Sequence, residues 1–545
     1  DGPESRYMLH FRSTRAKPNE DANNSTFYSG VSNIDFEIRD GNPSAVAVRF
    51  RVAQLSSLEH IDFHVGSGRA AIEAVGNEVE DCRFIGGRFG IITGPTSAGW
   101  QALIMDCHFQ QQREACIKTE RAGLTLVRCV LRDAPCAVRV FDERHEQLYL
   151  EDCRIEEVAE ALVLWGESNP YMQANLRSVA CANVPVFARF LPSRNAVSFA
   201  DPKYVVNRLT HGLIIERQAD RWARRNDTVV EHEPVSELPP MPRGVAMPPR
   251  ESWVNILEYG AAGDGQADDT AALRHAIAKH EAIYLPQGIY RITDTIELGP
   301  RTKLIGLHCE TTQILLAEAT AGFTDPASPR AMLLAPRGGQ NIVSGIGFNP
   351  TKNPGAVQVK WMAGPDSMMD DIWFEWGGHG TDIKGQDVFR SLWIADGGGG
   401  VFKNMWSPNI RAASGIHITD THTPGRVYLF SVEHHLEVEV LLQNVANWRF
   451  VALQTEENKG SERATAVVAE GCCDVEFANL FMYRVLSLAQ RHPHAVLLRN
   501  CRRITFGGIH VFSWGKYPFD QSVFDETGGV WFAEREIGQL LNAGQ

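Results

Sequence analysis

The sequence has no CxxC pair, although it holds 11 cysteines. That argues against a disulfide framework and against a zinc site with ordinary ligand spacing. The odd count and the adjacent Cys472 and Cys473 point the same way. No apolar run reaches the ~18 residues of a membrane-spanning helix. Positive charge is in deficit: 53 Lys and Arg against 66 Asp and Glu leave a formal net charge of −13. Nucleic acid, an anionic membrane surface and a strongly anionic polymer are therefore poor partners. A glycine loop is present, "GDGQADDT" (263–270), but it lacks the Gly-Lys-Ser/Thr ending of a phosphate loop. It also lacks the ligand spacing and terminal Glu of an EF-hand. No metal or other cofactor is expected. The chain begins at Asp1 without a signal-peptide pattern. The expectation is that a leader was removed or the start is missing, with a secreted or periplasmic location.

What is present is a globular composition, 44% hydrophobic and 22% charged, over 545 residues. That length suits two domains or a solenoid. The cysteines favour the solenoid. "EDCRF", "MDCHF", "VRCVL" and "EDCRI" are variants of one short strand, with cysteines at 82, 107, 129 and 153, steps of 25, 22 and 24. A strand-like repeat of that length marks a stack of coils. Within each repeat apolar residues alternate and Gly, Asn and Asp supply turns, as in "FIGGRFGIITG" (84–94). The expected fold is all-β: two tandem right-handed parallel β-helices whose cysteines pile into an inward ladder. The first spans 1–201, and absence of its N-terminal rungs is part of the expectation. Residues 202–252, with "HEPVSELPPMPRGVAMPPRES", read as a linker. The second spans 253–545. It opens with a short strand, the glycine loop and a helix from about Asp269 to Lys279, capped by Asp268 or Asp269. That helix is expected to close the open end of the solenoid.

One stretch concentrates the chemistry: "SVEHHLEVEVLLQNVANWRFVALQTEE" (431–457). Glu433 and Glu456 are 23 residues apart, inside the 22–25 range of the cysteine repeat. They should stack on neighbouring coils of one wall, ~4.8 Å apart. With Leu436, Val438 and Val440 inward, alternation sends Glu433, His435, Glu437 and Glu439 outward. With Val451, Leu453 and Thr455 inward, Gln454 and Glu456 face outward. Both acids are expected in one solvent-exposed groove. Paired carboxyls of this kind serve glycoside hydrolysis, because like charges raise the pKa of one partner and keep it protonated. Adjacent His434 and His435 point to opposite faces and should not share a metal ion. His435 is expected to contact sugar or a carboxylate, and His434 to be a core residue.

The opening "YGAAGDGQADDTAA" with "IYLPQGIYRITDTIEL" resembles pectate-lyase-like β-helix proteins, a likeness that speaks to fold. Taken with "RVAQLSSLEHIDF" (51–63), "FIGGRFG" (84–90), "VYLFSVEHHLEVEV" (427–440) and "ALQTEE" (452–457), the chain resembles glycoside hydrolase family 55, the two-β-helix exo-β-1,3-glucanases. This resemblance implies an exo-acting, inverting glycoside hydrolase with an oligo- or polysaccharide substrate. It implies that Glu456 is the general acid and that Glu433 helps organise the attacking water. Inversion would separate the two carboxyls by ~6.5–9.5 Å. Gln54 and Asn77 of the first half would help hold the water, in a site between the two halves. After "EHH" and "QTE" this chain has "LEVEV" and "ENKG" where the family carries aromatic residues, so a divergent branch with its own substrate is expected. Trp393 and Asp396, in "LWIADGGGGVF", are candidates for sugar subsites, beside Gln454 and His435. Two alternatives stand beside the hydrolase: a polysaccharide lyase on the same fold, and a non-catalytic glycan-binding or tailspike-like β-helix.

Overall fold

The computed structural model describes residues 6–13, 20–95, 100–218, 221–375, 388–408, 412–458, 463–485 and 488–543. Trp376 and, within "EENKG", Lys459 and Gly460 lie outside the described residues. The chain forms two compact units. The first comprises 1–243 with 506–509 and 536–540, and the second 244–505 with 510–535 and 541–545.

The first unit is a stack of short parallel strands in three faces. One face runs through Ala45–Arg49, Ala70–Glu73, Phe89–Ile92 and Ala115–Thr119. A second runs through Ser57–Glu59, Glu78–Glu80, Ala102–Met105 and Leu124–Val127. A third runs through Asp62–His64, Arg83–Ile85 and His108–Gln110. The cysteine repeat is the corner between the second and third faces. Asp81, Asp106, Arg128 and Asp152 turn the chain there with positive φ of 47°, 53°, 52° and 54°. Asp adopts that region at less cost than most side chains. The following Cys82, Cys107, Cys129 and Cys153 are buried. Each thiol donates to a carbonyl of the preceding coil: Leu58, Val79, Ile104 and Leu126, at 3.5, 3.5, 3.3 and 3.7 Å. One step further on, Phe36, Phe63, Phe84 and Phe109 stack with ring centroids 5.4, 5.1 and 4.4 Å apart. Each fully buried phenylalanine contributes roughly 1.5–3 kcal/mol of apolar burial.

The expected linker is shorter than 202–252. Lys203–Gln218 and Arg221–Pro234 pair as long antiparallel strands, and the former also pairs antiparallel with Gln173–Ala182. Tyr204, Val206 and Leu209 are fully buried, so this hairpin covers the last coil of the first core. Among the described residues that follow the hairpin, 235–249 lack regular structure. The proline-rich composition of that second part does not extend to the apolar alternation before it.

The second unit begins with Val254–Asn255 and the helix Thr270–Lys279, which buries Ala272, Leu273 and Ala276. The acids of "GDGQADDT" are all engaged in the turn. Asp269 is 2% exposed and its carboxylate accepts from Ala262 N–H (2.7 Å) and Gly263 N–H (3.1 Å). Asp268 Oδ1 accepts from Thr270 N–H at 3.0 Å, so Asp268 is the side chain that caps the helix. Parallel coils then continue. One face passes through Met368–Phe374, Gly400–Ser407, Gly425–Glu433, the C-terminal half of Val438–Glu457, and Cys473–Arg484. Another passes through Ala356–Trp361, Val388–Ile394, Ala412–Thr421, the N-terminal half of Val438–Glu457, and Thr465–Glu470.

Replacing Asp269 by Ala strips two part-buried amides, Ala262 and Gly263, of their acceptor. A loss of about 1–3 kcal/mol per orphaned group is the usual scale. The unfolding midpoint of Asp269→Ala in denaturant should fall clearly, while Asp264→Ala, at an exposed turn, should leave it nearly unchanged.

Candidate functional site

Strands Gly425–Glu433 and Val438–Glu457 place Glu433 directly beside Glu456, and the next coil places Tyr483 beside Glu456. The 23-residue interval is one coil. On the outward side of this wall the register also aligns Ser431, Gln454 and Phe481. The wall is not the open groove expected from alternation. Glu433 is only 3% exposed, and the Glu456 side chain is 14% exposed.

A hydrogen-bond network fixes both acids. Gln454 Nε2 donates to Glu433 Oε1 at 2.7 Å and to Tyr483 Oη at 2.6 Å, while Ser431 Oγ donates to Gln454 Oε1 at 3.1 Å. Tyr483 hydrogen-bonds Glu456 in turn. Burial, then the charges of Glu456 and Glu433, push the Tyr483 hydroxyl well above its ordinary range, so it remains a donor. His434 Nε2 lies 3.1 Å from Glu456 Oε1, and His434 N–H donates to the Glu456 carbonyl at 2.9 Å. Burial pulls the His434 pKa down, but the bond to Glu456 and the charges of Glu456 and Glu433 outweigh it, and the net direction is upward. One oxygen of Glu433, one of Glu456 and a ring nitrogen of His434 lie within 4.8 Å of one another. That is shorter than the ~6.5–9.5 Å expected for a water-separated inverting pair.

The two histidines exchange their expected places. His434 takes a positive φ of 68°, which breaks strand alternation at the corner. His434 is therefore the one that reaches Glu456. His435 is fully enclosed, with Nε2 3.0 Å from Ser407 Oγ and Nδ1 against Glu439. It meets a carboxylate, as expected, but no sugar can reach it. Glu439, expected outward, is also fully buried. Ser407 Oγ donates to Ser391 Oγ at 2.9 Å. His435 Nε2–H then donates to Ser407, and Nδ1 shares a hydrogen with Glu439. Burial, with Glu457 nearby, pushes Glu439 well above its ordinary range; burial, with His434 and Arg390, pushes His435 well below. These residue types build nucleophilic triads elsewhere. Here all three are enclosed and the hydrogen-bond direction leaves Ser407 without a base. Glu457, fully buried beside Arg484 in the neighbouring coil, has no hydrogen-bond partner on either carboxylate oxygen among the described residues. Burial raises its pKa strongly against the pull of Arg484.

Of the remaining expected site residues, Gln454 lies in this network, and Trp393 and Asp396 do not. Gln454 is 1% exposed and holds Glu433 rather than substrate. Trp393 and Asp396 sit at the opposite turn of the coil, before the strand that starts at Gly400, and eight residues of strand, roughly 26 Å, separate that start from the level of Glu433. There Lys360 Nζ lies 4.5 Å over the Trp393 ring and 3.4 Å from Asp396, and Arg337 pairs with Asp396 at 3.1 Å. Gln54 and Asn77 belong to the first unit; both are buried, and Asn77 Nδ2 donates to Ala53 O at 2.6 Å. Sequence reasoning missed Tyr483, His434 and Ser431 as partners. Tyr483 lies 27 residues past Glu456, beyond the 22–25 range of the cysteine repeat, so that ruler stops short of it.

Among the described residues, two groups come close enough to surround an ion: Glu433, His434 and Glu456, and His308, Cys309 and Asp371. In the first, His434 is hydrogen-bonded to Glu456 and Glu433 to Gln454. In the second, the backbone N–H of Cys309 donates to Asp371 at 3.1 Å and His308 Nδ1 accepts from Glu310 N–H at 3.2 Å.

The buried carboxyls set a pH dependence. Burial raises the folded values of Glu439 and Glu457 above the about 4.3 of an unfolded glutamate. Folding then binds protons, so this stability is present at low pH and is lost as pH rises through the raised folded values. His434, also raised, acts in the same direction above about 6.5, while the lowered His435 opposes it below about 6.5. The unfolding midpoint of Glu457→Gln should fall less steeply than that of the parent between about pH 5 and 8. Equal slopes would mean that Glu457 is ionised in the folded protein.

Residues 253–331 match the family described as "Rhamnogalacturonase A/epimerase, pectate lyase-like". A probable glucan endo-1,3-beta-glucosidase of Arthroderma benhamiae is 29% identical over 146 residues, 25% of this chain and 16% of that protein. The non-secreted LysM effector LysM19 of Penicillium expansum is 22% identical over 398 residues, 62% of this chain and 29% of that protein. The chain thus spans well under a third of either relative's length. Among solved structures, sacteLam55A from Streptomyces sp. SirexAA-E aligns over 92% of this chain and 88% of its own, with a TM-score of 0.47 and 12% identity. A variant of it in complex with glucose aligns over 95% and 89%, with a TM-score of 0.43 and 12% identity. With its coils of parallel strands and its matched opening segment, the chain is a pectate-lyase-like parallel β-helix protein.

Proposed function

We propose that this protein is a glycoside hydrolase in which Glu456 is the general acid. The observation that carries the reading is the pair of neighbouring carboxyls on one wall, Glu433 and Glu456, each held by a dedicated donor. Glu456 retains some solvent exposure, so its proton can reach a glycosidic oxygen. Glu433 stands beside it as a fixed, nearly buried carboxyl. Loss of a general acid typically costs 10²–10⁴-fold in rate. The glucan endo-1,3-beta-glucosidase relative favours a β-glucan-like substrate; exo action is our reading from the resemblance to family 55 alone. An inverting route remains our reading, but with the attacking water held by a group other than Glu433, because the two carboxyls are too close to admit that water between them.

The test is a panel of β-1,3-, β-1,6- and α-linked glycans with detection of the product anomer. Glu456→Gln should lose about 10²–10⁴-fold in kcat/KM on the best substrate without a change in unfolding midpoint. Undiminished turnover removes Glu456 from the chemistry. An unsaturated uronate product, seen by ultraviolet absorbance, would indicate a lyase instead. Release of the retained anomer would overturn inversion.

A further inference from the structure

Beyond Glu456 the same wall continues as a line of aromatic rings. Tyr483, one coil on, stacks on Phe512 with centroids 4.8 Å apart and planes 19° apart. Phe512 lies in Arg502–Ser513, the strand paired next to Cys473–Arg484. Trp514 follows it, edge-on to Phe512 at 6.3 Å and 79°. Along this line the rings pass from fully enclosed Tyr483 to half-buried Phe512 to Trp514, which is 56% exposed. Trp514 is not a loose surface ring. Its N–H donates to the Arg484 carbonyl at 3.0 Å, and Ser513 Oγ closes the turn by accepting from Gly515 N–H at 3.1 Å. An exposed tryptophan held by its backbone, on the same strand ends as the acid, presents an apolar face at little cost in ordering.

Coil spacing gives the distance. Two steps of ~4.8 Å separate the level of Glu456 from that of Phe512. That is the reach of a glycan extending one or two rings past a bond cleaved at Glu456. The C–H face of a neutral pyranose is what an indole face takes best. Resting on the assignment of Glu456 as general acid, we propose that Trp514 is a substrate-binding subsite that stacks a neutral sugar ring of the glycan chain one to two units from the scissile bond.

Binding and turnover test this separately. In the full chain carrying Glu456→Gln, titration with β-1,3-linked glucose oligosaccharides of two and of five units, followed by tryptophan fluorescence and calorimetry, should show tighter binding of the longer one. Adding Trp514→Ala should weaken the pentasaccharide about ten-fold and leave the disaccharide unchanged. Trp514→Phe should restore most of the difference. The unfolding midpoint should not move, since the ring is largely exposed. Equal affinities with and without Trp514 at both lengths overturn the subsite. So does a panel including β-1,6- and α-linked oligosaccharides in which none binds in a Trp514-dependent way. A length effect that persists while Glu456→Gln keeps full turnover would uphold the subsite and refute the acid assignment, so the two failures are distinct.

Discussion

Backbone hydrogen bonds between Gly425–Glu433 and Val438–Glu457 hold Glu433 and Glu456 as register partners. Everything proposed about the site derives from that parallel pairing. It fixes two carboxyls side by side on a surface that repulsion would otherwise open. The backbone ladder supplies the force, and side-chain donors only trim the result: Gln454 on Glu433, His434 and Tyr483 on Glu456. A loop-built pair would need those donors to do all of the positioning. Here the strands do most of it, which is the arrangement in which catalytic geometry tolerates least drift.

The second consequence of the pairing is how protons are apportioned among four glutamates. Burial favours the uncharged forms of Glu439, Glu457 and His435. Buried acids thus weaken the charge that reaches the wall, although alternation had sent Glu439 outward.

Much of this was legible in the sequence where a repeat supplied a ruler. The cysteine steps gave the coil length, and the interval between Glu433 and Glu456 matched it. The opening motif announced the second unit, and its acids lie in the turn and at the helix start. Legibility failed where the chain leaves strand geometry. His434 in the left-handed region shifts every side chain after it, so alternation misplaced His435 and Glu439. A coil also has several turns, and sequence proximity does not say at which one a residue sits. That is why Trp393 and Asp396 looked like neighbours of the acids and are not. The strands at 203–234 were hidden by the prolines that follow them.

The thiol ladder of the first unit has a direction. Each cysteine reaches back to a carbonyl of the coil before it, Cys82, Cys129 and Cys153 sharing their thiol hydrogen with a carbonyl two residues back in their own coil, and none of these bonds points forward. Every coil is therefore completed by its successor. Removing the Cys107 sulfur deprives the Val79 carbonyl, one coil nearer the N-terminus, while the coil that carries residue 107 keeps the bond it receives from Cys129. Damage in such a stack is felt upstream of the altered residue, and a last coil has no successor to complete it. In this unit that end is met by the antiparallel strand Lys203–Gln218, laid along Gln173–Ala182 in place of another coil.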